Sequence, residues 1–438
     1  MTAADVWLLL LCSSGLLVAL GATSGMVNET LWVSEPLACA IAGVALGPVG
    51  FGLLRLNPMT SQMDVAILLE AARMTLAIAV TVAAMRLPAN WLRSSWRGLA
   101  VALGPGMLLM WGAGAAVSAV TLGLPTMSCL LVAAAIAPTD PVLSAPLLTG
   151  HLARRAVPKA LRDAMTAESG INDGLALPLV MLPILLLAHS PAEAVSDWLI
   201  HVIVWELGSA VLIGSVAGWV TSRCMNWARR RPDADGPSLL TVTIALALAT
   251  TAGVRLLGGD EILAAFVAGA VLNGSYRKVK VAMHHERFSE ALGRFFDLPI
   301  MIVFGAAIPW AAWSSLGWGA IGFAVGILLL RRIPAWLLLG QFMPGTHSTS
   351  GALFSDWFGP IYAAALFYAM LIQEQTGSGA LWPMISLAVA ASVLAHGITG
   401  TPVTRMLENF TKPSIAQGAA TDAVSIPAGV PLLGEGDS

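Results

Sequence analysis

Three features of the sequence predict an all-α polytopic membrane protein of about 13 transmembrane helices: its composition, the spacing of its apolar runs, and the placement of its basic residues. Of its 438 residues, 57% are hydrophobic and only 11% are charged, with a mean hydropathy of +0.79. A soluble chain of that composition would lack polar cover for its surface. The net charge is −2, and no dense basic patch interleaves with aromatics, so nothing supports a nucleic-acid partner. The partner expected is the lipid bilayer.

Apolar runs long enough to cross hydrocarbon fall at 6–20, 36–54, 65–85, 98–122, 127–148, 164–188, 198–220, 239–257, 262–272, 295–310, 320–339, 358–372 and 381–399. The first lacks a basic leader, and Asp5 is its only early charge, so it reads as a span and not as a cleaved signal peptide. The second carries Gly43 and Gly47, a close-packing pair common to membrane bundles. The third holds Glu70 and Arg73, three apart on one helix and so able to pair. The ninth and twelfth are short. Past Thr411 the chain turns to Ala, Gly, Ser and Asp, which predicts a transmembrane domain over 1–405 and a short disordered tail over 406–438.

Lys and Arg segregate across these runs. Arg86, Arg93 and Arg97 follow the third span, and Arg154, Arg155, Lys159 and Arg162 follow the fifth. Arg223, Arg229, Arg230 and Arg231 follow the seventh. Arg277, Lys278, Lys280, Arg287 and Arg294 follow the ninth, and Arg405 and Lys412 lie in the tail. The opposite side keeps only Arg55 and Arg255. Positive charge stays on the cytoplasmic side, so the N-terminus is expected outside and the C-terminus in the cytoplasm.

The charges left inside the membrane are Glu70, Arg73, Asp140, Glu168, Asp173, Arg331 and Arg332. A carboxylate at that depth costs on the order of 2.5 to 3.5 kcal/mol, so such residues point to cation or proton handling. Asp140 is bracketed by Pro138 and Pro141, which strip the carbonyls of Ala134 and Ala137 of helical partners. Unwound backbone survives at membrane depth only when buried or facing a polar cavity. Freed carbonyls, the Thr139 hydroxyl and the Asp140 carboxylate would then form an oxygen cluster suited to an alkali cation; the plainer reading is a proline kink with a protonated aspartate. In the sixth span, Ser169 and Asp173 share one ridge and Glu168 and Asn172 the next. Ser169 and Asp173 are thus expected to reach toward Asp140, with Glu168 and Asn172 turned elsewhere. Glu168 needs a deep arginine, and Arg331 or Arg332 supplies one unless both snorkel to water. The four cysteines, with no C-x-x-C spacing, read as packing thiols, and the seven histidines suggest no zinc site.

At these residues the sequence resembles the monovalent cation/proton antiporters of the NhaP and NHE type, most closely their fungal plasma-membrane-like branch. Thr139-Asp140-Pro141 and Glu168-Ser169-x-x-Asn172-Asp173-Gly174 carry the likeness. It extends through Ser34-Glu35-Pro36 with Gly47-Pro48, Gly259-Asp260-Glu261 with Phe266-Val267-Ala268-Gly269, and Gly305 to Ile308-Pro309-Trp310. Arg332-Ile333-Pro334 and Phe358-Gly359-Pro360 with Ala365-Leu366-Phe367-Tyr368 complete it.

The resemblance implies two inverted six-helix repeats, over about 1–190 and 238–405, joined by a linker helix at about 197–222, with interrupted helices crossing near the midplane. It implies a homodimer in the plasma or inner membrane, no cofactor, and exchange of a monovalent cation (Na+, or Li+ or K+) for H+. Asp173, Asp140, Ser169 and Thr139 are implied to hold the cation. Glu168 is implied to pair with an eleventh-span arginine, for which Arg332 fits the pattern. Asn172 before Asp173 implies electroneutral 1:1 exchange, and Tyr362 stands where relatives often have glycine. Two rivals are an intramembrane aspartyl protease, which typically needs a Gly-x-Gly-Asp signature absent at both aspartates, and a sodium-coupled organic-anion symporter.

Overall fold

Prolines and caps decide where the apolar runs become helix. The computed structural model describes residues 3–26, 34–140, 155–228, 230, 238–275, 295–343, 346 and 349–422. Among these, every regular element is a helix, and each predicted run falls on one.

Helix α1 spans Ala3–Met26. α2 (Glu35–Leu46) opens with Pro36 in its first turn and with Ser34, whose Oγ accepts from the Leu37 N–H. α3 (Gln62–Arg86) is capped in the same way by Ser61 on the Asp64 N–H. α4 (Trp96–Leu122) widens into a π-helical turn over Ala102–Gly106, where Pro105 has no N–H to give. α5 (Thr126–Ile136) ends just before Pro138. α6 (Lys159–Ala188) carries Pro178 and Pro183 within its 30 residues. Next come α7 (Pro191–Ala228), α8 (Leu239–Leu256), α9 (Glu261–Ser275) and α10 (Phe295–Ala306).

The last three runs differ from expectation. α11 (Trp318–Phe342) is not continuous, because Pro334 opens a new helix at Ile333 and leaves Arg331 and Arg332 at the interruption. The twelfth span comprises α12a (Thr349–Trp357) and α12b (Ala363–Thr376), with residues 358–362 unwound between them. α13 runs from Trp382 to Asp422, past the boundary at 405 where a disordered tail was expected, and residues 423–438 lie outside the described ones. So do Pro141 and the remainder of the fifth run.

α9 lies at the centre, packed on α3, α7 and α8, while α3 also packs on α6 and α12b. Small residues set these approaches: a Cβ on Gly174 of α6 would come within 2.7 Å of Leu263 on α9, and one on Gly269 of α9 within 2.6 Å of the Thr81 carbonyl on α3. α2 and α10 cross where Gly43 and Gly305 face each other, a Cβ on either lying 3.0 Å from the other's Cα. α7 turns Val204, Trp205, Leu212 and Trp219 outward, as a helix facing lipid does. The Glu70–Arg73 pair expected within α3 forms and extends further: Arg73 Nε reaches Glu261 Oε1 at 2.8 Å, and Arg255 Nη1 reaches Glu70 Oε1 at 3.2 Å. This network ties α3 to α8 and α9.

Candidate ion-binding site at two crossed breaks

Pro138 ends α5, and its consequences are local before they are functional. The Ala137 N–H turns in to the Ala134 carbonyl at 3.3 Å, using the acceptor that Pro138 cannot serve. The carbonyls of Ile136 and Ala137 accept from Arg331 Nη1 at 2.9 and 3.0 Å. Arg331 Nη2 donates to the Gly359 carbonyl in the second break. One guanidinium therefore closes the backbone of both interruptions. The freed Ala137 carbonyl, expected to contribute to an oxygen cluster, already accepts from Arg331.

The two breaks also bond directly. The Asp140 N–H donates to the Pro360 carbonyl at 3.0 Å, and the Ala363 N–H donates to Asp140 Oδ2 at 3.1 Å. Asp140 thus sits at the N-terminus of α12b, where unpaired N–H groups and the helix dipole favour negative charge. Tyr362 does not prevent the crossing. Its ring turns away and its hydroxyl donates to the Asp297 carbonyl at 3.0 Å.

On α6, the structure gathers Ser169, Asn172 and Asp173 on the side of the first break. Thr139 Oγ1 lies 3.1 Å from Ser169 Oγ and accepts from Asn172 Nδ2 at 2.9 Å, while the Thr139 N–H donates to Asn172 Oδ1 at 3.2 Å. Asn172 was expected to turn elsewhere with Glu168; instead both ends of its amide hold Thr139. Glu168 faces the eleventh helix. Its oxygens accept from Arg332 Nη1 at 2.7 Å and Nη2 at 2.9 Å, and Arg332 Nε donates to the Ser355 carbonyl of α12a. Trp336 stacks beneath this guanidinium, with its centroid at 4.6 Å.

Asp173 stands apart from these satisfied groups. It is wholly buried and neither carboxylate oxygen has a hydrogen-bond partner. Its charge and that of Asp140, also wholly buried, act on one another. The backbone around it is fixed from α12b: the Tyr368 hydroxyl donates to the carbonyls of Asp173 and Gly174. Gly174 needs that donor because Pro178, four residues on, has no N–H.

Sequence reasoning did not foresee the backbone contacts of Arg331 and Tyr368 or the unpartnered, buried carboxylate of Asp297. Arg331 was named only as an alternative to Arg332. Asp297 carried a usable signal, an acid just inside the apolar run 295–310.

A model of the family described as sodium/hydrogen exchanger, transmembrane, matches residues 15–406. The chain belongs to the sodium/hydrogen exchanger family. The chain is 29% identical over 405 residues to the Na+/H+ antiporter of Saccharomyces cerevisiae, covering 85% of this chain and 40% of that one. It is 28% identical over 422 residues to the Na+/H+ antiporter of Schizosaccharomyces pombe, covering 90% and 89%. A more distant relative is the K+/H+ antiporter NhaP2 of Shewanella oneidensis, at 24% over 285 residues, 63% of this chain and 47% of that one. The chain spans about half the length of the curated relatives it first matches, 40% to 53%. The chain shares the fold of the sodium proton antiporter MjNhaP1 from Methanocaldococcus jannaschii, with a TM-score of 0.70 over 92% of this chain and 99% of that one, at 15% identity. It is a multi-pass membrane protein.

Proposed function

We propose that this exchanger is a secondary antiporter that moves a monovalent alkali cation, Na+ first and Li+ or K+ as alternatives, in exchange for H+. The observation that carries this reading is Asp173: a wholly buried carboxylate with no donor, beside Asp140, Ser169 and Thr139. A bare carboxylate in such a place is prohibitive, so it must hold either a proton or a cation. Asp140 and Asp173 act as a coupled pair whose protons belong to both. Competition between proton and cation for the pair, with alternating access permitted only when the charge is compensated, yields exchange without an enzyme step or a cofactor. Asn172 spends its amide on Thr139 and adds no charge, which supports electroneutral 1:1 exchange.

The remaining assignments belong to the same reading. Repeats over about 1–190 and 238–405, joined by the helix at about 197–222, carry breaks that meet at the crossing, and the pairing of α5 with α12 supports this division. The protein works as a homodimer in the plasma or inner membrane, with the N-terminus outside and the C-terminus cytoplasmic, as the segregation of basic residues supports.

The test uses purified protein in liposomes with an imposed pH gradient and a pH-sensitive dye. Adding Na+ should dissipate the gradient for the parent and not for Asp173→Asn at equal incorporation. Appreciable Na+-driven proton movement by Asp173→Asn would overturn the assignment.

A further inference from the structure

The peptide between Pro360 and Ile361 lies inside the unwound stretch 358–362 and is held at both edges. Its carbonyl accepts from the Asp140 N–H at 3.0 Å, and its N–H donates to Ser392 Oγ of α13 at 2.7 Å. A trans peptide is planar with these two groups pointing in opposite directions, so whatever holds the N–H also aims the carbonyl. Ser392 therefore sets the direction of a group that binds Asp140. One turn on along the same face of α13, His396 completes the hold. Its Nε2 lies 3.0 Å from the carbonyl of Trp357, the last residue of α12a, and to a carbonyl it can only donate. Its Nδ1 lies 3.2 Å from Ser392 Oγ and 2.9 Å from the Ser392 carbonyl, so a neutral ring accepts from the hydroxyl and a charged one donates to the carbonyl. In both states Ser392 Oγ keeps a lone pair for the Ile361 N–H. Ser392 is wholly buried and His396 nearly so, and an N–H released there has no solvent to turn to.

We propose that Ser392 and His396 are positioning residues of the transport site, a clasp on α13 that holds the second break in the conformation that turns the Pro360 carbonyl and the Ala363 N–H onto Asp140. The inference rests on the antiport reading of the Asp140/Asp173 pair. Arg331 serves the same stretch through the Gly359 carbonyl, while the clasp serves it at Trp357 and Ile361, on either side. Its hold on Asp140 passes through the backbone of the break, so its loss loosens the aim of the aspartate and leaves the chemistry of the site unchanged. A neighbouring bond supplies an internal control. The Trp357 indole N–H donates to Thr399 Oγ1 at 3.0 Å, which ties the same two helices together through a side chain and not through the backbone of the break.

The test measures half-saturating Na+ and maximal rate in liposomes, and melting temperature in detergent, for the parent, Ser392→Ala, His396→Leu, His396→Gln and Thr399→Val. Ser392→Ala should raise half-saturating Na+ about fivefold, the worth of one hydrogen bond, with the maximal rate within about twofold of the parent. His396→Leu should raise it by a similar factor, and combining it with Ser392→Ala should add little, because the two side chains act as one clasp. Glutamine keeps an N–H donor for the Trp357 carbonyl, so His396→Gln should stay within about twofold of the parent. Thr399→Val should lower the melting temperature and leave half-saturation unchanged. Parental half-saturation in Ser392→Ala overturns the proposal, as does an equal rise in Thr399→Val, which would make α13 a packing element only. Should Ser392→Ala not fold, the two His396 variants decide, and equal half-saturation in them overturns it. Protection of the purified protein against heat by Na+ supplies a binding readout that needs no exchange. A parent that is protected yet moves no protons sinks the antiport reading, and the clasp is then judged by whether Ser392→Ala needs about five times more Na+ for the same protection.

Discussion

Arg332 lays both terminal nitrogens on the two oxygens of Glu168, at 2.7 and 2.9 Å, with each side chain almost wholly buried. A fork-to-fork pair of this kind is strong, but most of its importance emerges when one partner is removed. Glu168→Ala strands a guanidinium inside the bundle, and the expected loss is about 3–5 kcal/mol. The melting temperature in detergent should fall by several degrees, and Arg332→Met in the same chain should recover part of it. A single Glu168→Ala variant that melts with the parent would show that the pair does not hold α6 to α11.

Arg331 makes a different prediction although it is the adjacent residue. Its partners are the carbonyls of Ile136, Ala137 and Gly359, so it behaves as a donor to unwound backbone and not as a counter-ion. Arg331→Met leaves three buried acceptors wanting, each at about 1–3 kcal/mol. Arg331→Lys keeps a charge and three donors on a single atom, which cannot match a planar fork serving two breaks. Both variants should lose exchange, with the lysine form the more stable of the two in thermal melts. Full exchange by Arg331→Met would show that the breaks hold without it.

Gly359 has no room for a side chain. A Cβ there would overlap Cδ of Arg332, so Gly359→Ala forces that arginine off its course to Glu168. The expected cost is about 1–3 kcal/mol for overpacking. In a Glu168→Ala background the same substitution should cost measurably less, because the contact it spoils is already gone. Equal melting shifts in the two backgrounds would separate Gly359 from the pair.

Much of this was legible in the chain because the physics is local. Apolar runs mark the helices, Pro138 marks the first break, and the four-residue spacing of Ser169 and Asp173 sets them on one ridge. The unread parts depend on directions that only the folded chain defines. Pro334 ends one helix and starts another, so Arg331 and Arg332 leave the interruption in different directions, one toward carbonyls and one toward Glu168. Asn172 turns to Thr139 because both ends of its amide find partners there, a fact no helical spacing contains. The continuation of α13 to Asp422 runs through Pro402 and Pro413, residues that argue for an ending when read alone.

Tyr368 and Pro178 form the most direct test of how Asp173 is positioned. Pro178 deprives the Gly174 carbonyl of its helical donor, and the Tyr368 hydroxyl bonds to that carbonyl and to the Asp173 carbonyl beside it. Tyr368→Phe should cost about 1–3 kcal/mol through the unsatisfied acceptor, and by loosening this turn of α6 it should raise the half-saturating Na+ concentration with the Asp173 side chain intact. Pro178→Ala restores an N–H four residues after Gly174. In that background Tyr368→Phe should cost distinctly less in both stability and apparent affinity, a coupling of about 1 kcal/mol in a double-mutant cycle. Strictly additive effects would mean that the hydroxyl serves some purpose other than replacing the bond that proline removes.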